Sequence, residues 1–292
     1  MKKFIQLTAK ISLATLVLLV VLDWAYTAVY LQSHNRGKVD YVFNSDARNY
    51  DVVILGSSRA NNHFVSQIFE DKGLKTFNYG MSGSHLFEAS LMLKLMAERK
   101  YKIKNVILEA DLGLSNEKRA DGIAAKFLPY IHHSKIIREH FSGEEDFNKL
   151  YYIPFYRYVD FDALIGFREM YNTLKGTPTN ILDHLGYHPL GHKPGKMKNN
   201  LTALKPIRNK YYEEIKQICK ENNYHLIAVM TPMCTNVKGM NYFEKANKIY
   251  PEIYNLENVV QGDQYFSSCG HLNDTGARMF TKIVIEEFFE KK

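Results

Sequence analysis

Residues 51–63, DVVILGSSRANNH, decide how this chain folds. The first five read as a buried strand, and Gly56-Ser57-Ser58 as a tight turn that feeds a helix opening near His63. A strand that ends in glycine and then presents a small hydroxyl residue before a helix is how α/β hydrolytic folds expose a nucleophile. The helix N-terminus adds backbone N–H groups that stabilise an oxyanion. The same residues also describe an ordinary strand-to-helix loop with serine as the N-cap. The rest of the chain must separate these readings.

Outward from that stretch, strands and helices alternate. Residues 63–72 read as a short amphipathic helix closed by Gly73, and 75–78 as a second strand entering a glycine-bearing loop, 78–84, before a helix over 85–99. Residues 105–111, NVILEAD, have the apolar core of a strand buried on both faces. The pattern resumes with a helix over 207–222, a fourth strand over 225–230, a helix over 241–249, a fifth short strand over 258–261 and a final amphipathic helix over 274–290. This is the pattern of an α/β fold with a parallel sheet of about five strands, in which ligands gather at the carboxyl ends of the strands.

Residues 112–205 interrupt the winding. They are rich in aromatics, including Tyr151, Tyr152, Phe155, Tyr156 and Tyr158, and are too long for a simple connection, so a helical insertion with its own small core is expected. Its aromatics serve either that core or a sugar subsite.

At the N-terminus, residues 11–31 are mostly apolar and long enough to cross a bilayer as a helix. Lys2, Lys3 and Lys10 precede them, which favours a cytoplasmic N-terminus and a body on the far side. Trp24, Tyr26 and Tyr30 near the far end and the lack of an A-x-A site favour an uncleaved anchor over a signal peptide. Asp23 is costly within a single span; it either reaches the interface or contacts a membrane partner. The expected organisation is an anchor, 1–31, a polar juxtamembrane linker, 32–50, and a body, 51–292.

The 292 residues carry 46% hydrophobic side chains and a formal net charge of +7. Such a balance fits nucleic acid, an anionic membrane surface or an anionic glycan, but no compact basic run or nucleic-acid motif supports the first. The three cysteines, Cys219, Cys234 and Cys269, form no disulfide framework. Cys234 and Cys269 both follow strands and would approach in the fold. Without a CxxC spacing, however, neither a bridge nor a metal site with His271 is expected. His184, His188 and His192 recur at four-residue spacing, but Gly186, Pro189 and Gly191 break the helix that would align them. No metal or other cofactor is expected.

Three blocks carry a family resemblance: Gly56-Ser57-Ser58 after the first strand, residues 78–83 after the second, and His271-Leu272-Asn273 before the last helix. In this order they resemble the SGNH (GDSL-type) esterase and acyltransferase superfamily, most of all its membrane-anchored bacterial cell-envelope branch, which includes proteins similar to the alginate O-acetylation and teichoic acid D-alanylation factors. The resemblance implies a three-layer α/β/α, flavodoxin-like fold. It implies Ser58 as nucleophile, His271 as base, and the N–H groups of Ser58 and Gly83 as oxyanion donors; Ser57 is the alternative nucleophile. The physical chemistry agrees, because a serine hydroxyl needs an imidazole to take its proton and the oxyanion needs preorganised donors.

The sequence departs from the family pattern at two places. Ser268 stands where the family carries an aspartate three residues before the histidine, which leaves Asp263, Asp111, a backbone carbonyl or a bare dyad to orient the ring. The asparagine usual after the third strand is also missing, so Arg59, Asn61 or Asn62 is expected to supply that donor. Arg59, His63 and Asp111 are also candidates for contact with substrate, or for support of the loops. The resemblance implies a single-pass protein of the bacterial inner membrane whose extracytoplasmic domain transfers or hydrolyses small acyl groups on a cell-envelope glycan, alone or with a multi-span membrane acyltransferase. A catalytically inactive scaffold binding glycan or such a partner is the rival expectation.

Overall fold

The apolar run in residues 51–55 is the centre of strand β1, Asn49–Leu55, in which Val52, Val53 and Ile54 are fully buried. The computed structural model describes residues 1–32, 35–192 and 197–291. Around β1 lie β2, Thr76–Asn78, β3, Lys102–Glu109, β4, His225–Met230, and β5, Tyr254–Asn255. All neighbours are parallel and the order across the sheet is β2-β1-β3-β4-β5, which is a common doubly wound order. The register sets Ile54 of β1 beside Ile107 of β3, and Ile107 beside Ile227 of β4.

Because successive side chains of a strand point to opposite faces, the continuous apolar runs bury both faces. Val52, Ile54, Ile107, Ile227 and Val229 share one core with Phe280 and Val284 of helix Asp274–Ile285. Helix Leu86–Glu98 instead packs against Lys210–Glu221, where Phe87 meets Tyr211 edge-on at 5.2 Å.

Two expected elements differ. The helix over 63–72 is two short helices, Ser58–His63 and Ser66–Glu70. Tertiary partners replace helical hydrogen bonds at the break: the Asn78 amide donates to the carbonyls of Ala60 and Phe64 at 2.8 and 3.0 Å, and the Val65 N–H donates to Thr281 Oγ1 at 2.9 Å. The fifth strand falls at Tyr254–Asn255 rather than 258–261; Val260 is buried in the core from a turn, so its apolar character reports packing and not pairing.

The chain divides into two units, Asp46–Ile123 with Asn180–Lys292, which holds the sheet, and Met1–Ser45 with Ala124–Thr179. The second of these joins the apolar N-terminal helix to the middle part of the 112–205 interruption. Helix Lys2–Tyr30 has a mean hydropathy of 2.1 in its apolar window and is long and apolar enough to cross a membrane. Its last turns are enclosed by protein: Tyr26 packs edge-on against Phe155 at 4.9 Å, Thr27 Oγ1 and Tyr158 OH lie 2.8 Å apart, and Tyr30 OH donates to the Ile165 carbonyl at 3.0 Å. The exposed apolar stretch is therefore shifted towards the N-terminus relative to residues 11–31. Tyr158 is a core residue here, and Phe155 packs beside it half-buried.

Asp23 finds its partner within the chain. Its carboxylate accepts from Arg157, at 2.8 Å in the closest contact, and from the Phe155 N–H at 2.8 Å. Arg157 is 1% exposed, so the pair neutralises a guanidinium that has no access to water. The expected linker also differs. Residues Lys38–Phe43 form a helix with Val39, Val42 and Phe43 buried, and Phe43 stacks on Tyr130 at 4.0 Å. Ser33 and His34 of the expected linker and residues 193–196 of the basic tract lie outside the described residues.

Candidate active site

The turn after β1 is built for close approach. Gly56 has φ +138°, and a Cβ there would sit 2.8 Å from Glu109 Oε2 and 3.0 Å from the Ala60 Cβ. Ser57 caps helix Ser58–His63, its Oγ accepting from the Arg59 N–H at 3.2 Å. The Ser57 N–H and Oγ–H both donate to Glu109 Oε2, at 2.8 and 2.6 Å. Ser57 is thus committed to the end of β3, and Ser58 is the serine that faces the histidine.

His271 arrives from a two-stranded antiparallel hairpin, Phe266–Ser268 with His271–Leu272, where a loop was expected. Ser58 Oγ and His271 Nε2 are 2.8 Å apart although 213 residues separate them in sequence. On the other side of the ring, Ser268 Oγ lies 3.3 Å from Nδ1. Asp263 does not take that place: it is exposed on the turn Asp263–Tyr265 and makes no hydrogen bond to the imidazole. A disulfide between Cys234 and Cys269, with Cα atoms 5.0 Å apart, ties the hairpin to the segment after β4, contrary to the expectation of unpaired cysteines.

Arg59, His63 and Asp111 brace this arrangement from beneath. Arg59 is 3% exposed and donates to Asp111 Oδ2 at 3.0 Å, to the Thr231 carbonyl at 2.6 Å and to the Gly270 carbonyl at 3.1 Å. It therefore links helix Ser58–His63 to the end of β4 and to the hairpin. Asp111, fully buried, also accepts from the Thr231 N–H at 3.0 Å. His63, also fully buried, accepts the Leu272 N–H on Nε2 at 3.1 Å. With their polar atoms turned to protein, these three support the loops; the sequence-based option of substrate contact does not fit their burial.

The electrostatics follow from this burial. Desolvation holds the His271 pKa below its ordinary value, Arg59 lowers it further, and Asp111 opposes both. The ring is consequently neutral at pH 7, as a general base requires. Burial and the adjacent Asp111 carboxylate push Glu109 up to about 8. Burial also raises Asp111, but the Arg59 guanidinium and several hydrogen bonds outweigh it, leaving Asp111 ionised below the usual carboxylate range. His63 is driven well down by burial, with Arg59 and His271 adding to the effect.

The loop after β2 lies against this helix because Gly80 permits it; a Cβ there would meet the Asn61 nitrogen at 2.6 Å. Ser84 Oγ and the Met81 N–H both donate to the Gly56 carbonyl, at 2.8 and 3.0 Å. Gly83 is exposed with φ +88°. Asn61, partly exposed, donates from Nδ2 to Ser82 Oγ at 3.2 Å, so its amide is attached to the same loop. Asn62 is buried and donates to the His188 carbonyl at 2.8 Å, which takes it out of the set of oxyanion donors. Among the described residues no group of three His, Cys, Asp or Glu side chains can hold a metal ion.

Glu109 was missed in the sequence. Its signal was a carboxylate inside the apolar run NVILEAD, at the end of a strand buried on both faces, where an ionisable group needs a dedicated partner. No family model matches the chain, and no curated protein matches it.

Proposed function

We propose that this chain is a membrane-anchored serine esterase or O-acyltransferase of the SGNH type, acting on a cell-envelope glycan from the extracytoplasmic side. The observation that carries the reading is the 2.8 Å approach of Ser58 Oγ to a neutral His271 Nε2 at the carboxyl end of a parallel sheet. His271 takes the Ser58 proton as Oγ attacks the acyl carbonyl, and the N–H groups of Ser58 and Gly83, helped by Asn61, are the donors assigned to the oxyanion. The imidazolium then gives the proton to the leaving alcohol. In the second half His271 deprotonates water or a glycan hydroxyl, which attacks the acyl-serine and releases Ser58.

The Cys234–Cys269 bridge supports an oxidising compartment, since disulfides persist there and are rare in the cytosol. The charge of +7 suits an anionic acceptor. An O-acetyl or similar small acyl group is the cargo in this reading. Asp23 pairs with Arg157 within the chain, so a multi-span membrane partner is proposed here from the family resemblance and not from Asp23.

Ser58→Ala and His271→Ala should each abolish turnover of an activated acetyl ester while leaving the circular dichroism spectrum unchanged. A fluorophosphonate should label Ser58 in the native protein. Wild-type rates in both variants would refute the assignment. Ser268 in place of a carboxylate favours a second reading, a non-catalytic glycan-binding scaffold, and covalent labelling of Ser58 would defeat it.

A further inference from the structure

A cavity of about 370 Å³ lies in the unit that contains the apolar helix. One wall is the helix itself, through Val20, Trp24 and Thr27; the other includes His132, His133, Tyr151, Tyr152 and Pro154. Its volume falls in the range of roughly 300–1,000 Å³ typical of small-molecule sites. Val20 is 49% and Trp24 72% exposed, so the same side chains that line the cavity belong to the surface a bilayer would cover. The cavity thus opens beside the exposed apolar face of helix Lys2–Tyr30.

Its lining is mixed in polarity. Val20 and Trp24 supply apolar surface, whereas the imidazoles of His132 and His133 supply hydrogen-bonding groups; the Thr27 hydroxyl is taken up by Tyr158 and Arg157. Asp23 borders the same space, but its charge is met by Arg157, so it does not present an unbalanced negative charge to an anion. Tyr152, which lines the cavity and is 68% exposed, and the adjacent Ile153, 46% exposed, form an apolar rim. Tryptophan and tyrosine favour the level of a membrane where apolar and wet regions meet. An occupant that is apolar at one end, polar at the other and delivered from the bilayer is a lipid.

We propose that this cavity seats a glycerophospholipid of the surrounding leaflet, with acyl chain along Val20 and Trp24 and headgroup towards His132 and His133. The proposal rests on the membrane-spanning reading of helix Lys2–Tyr30 and is independent of the chemistry at Ser58.

Trp24 is the single tryptophan of the chain and reports on the site directly. Full-length protein in detergent micelles is titrated with a phosphatidylglycerol carrying brominated acyl chains, and Trp24 fluorescence is followed. Quenching should saturate at a single lipid per chain, and Tyr152→Ala and His133→Ala should each weaken it about tenfold, a change of about 1.4 kcal/mol. Quenching that rises with lipid mole fraction without saturating, and is the same in both variants, would mean partitioning alone and overturn the proposal. So would a co-purifying polypeptide that shields Trp24 from the added lipid. Native mass spectrometry of the wild-type protein extracted from membranes should retain a phospholipid mass; its absence counts against the site even if the variants fold poorly. Flotation with vesicles tests the anchor separately, and Ser58→Ala should show wild-type quenching whatever its activity.

Discussion

Placing a carboxylate at position 268 is the sharpest test of how His271 works. Ser268 Oγ lies 3.3 Å from Nδ1, so the imidazolium formed during attack meets a neutral hydroxyl instead of an anion. In Ser268→Asp a negative charge would sit within about 4 Å of the ring, an interaction of about 4 kcal/mol at an effective dielectric constant of 20. Nearby opposite charges raise a base by about one to three pKa units, against the lowering that burial and Arg59 impose on His271. Catalysis needs the neutral ring, so the acid limb of the pH–rate profile should move to higher pH by that amount. If half the interaction is expressed in the transition state, the plateau above that limb rises about thirtyfold, corresponding to about 2 kcal/mol. Ser268→Ala should lose only the neutral hydrogen bond, about 1 kcal/mol or about fivefold. The assay is hydrolysis of p-nitrophenyl acetate over the mildly acid to mildly alkaline range. An acid limb and plateau that stay where they are in Ser268→Asp would refute the claim that residue 268 meets Nδ1.

Three further outcomes are expected. Glu109 is raised from 4.5 to about 8, so its contribution to stability is fully present below pH 4.5 and is lost as the pH rises through about 8; the chemical denaturation midpoint should fall over that window and flatten in Glu109→Gln, and equal slopes in the two proteins would contradict this. Asp23→Leu should lower the thermal unfolding temperature of the detergent-solubilised chain, because stranding the buried Arg157 costs about 3–5 kcal/mol; Asp23→Asn, which keeps an acceptor for the Phe155 N–H, should be milder, and an unchanged temperature in Asp23→Leu would remove the pair from the account. Cys269→Ser opens a bridge between residues 35 apart, worth about 4 kcal/mol by loop-closure entropy, and should lower kcat more than it raises KM, since it frees the hairpin that holds His271; an effect on KM alone would speak against that role.

The sheet was legible because β1, β3 and β4 are continuous apolar runs, and a strand buried on both faces must read that way. The pairing of Ser58 with His271 was what the family resemblance implied, and the two side chains lie 2.8 Å apart. Features set by tertiary polar contacts were harder to read. The break after His63 depends on the amides and hydroxyls of Asn78 and Thr281, which are distant in sequence, so local periodicity ran the helix through it. Asp263 was chosen as a nearby acid when Ser268, lacking a charge, gave no electrostatic signal. The Cys234–Cys269 bridge had no spacing signature because strands, not neighbouring residues, bring its halves together.

Arg59 carries a further consequence. Its guanidinium holds the carbonyls of Thr231 and Gly270, while the His63 ring in the same short helix holds the Leu272 N–H. Ser58 and His271 therefore share one set of buried restraints despite their distance along the chain. Hydrogen exchange should show the amides around Ser58 and His271 opening together as one cooperative unit, with common protection and a common response to denaturant.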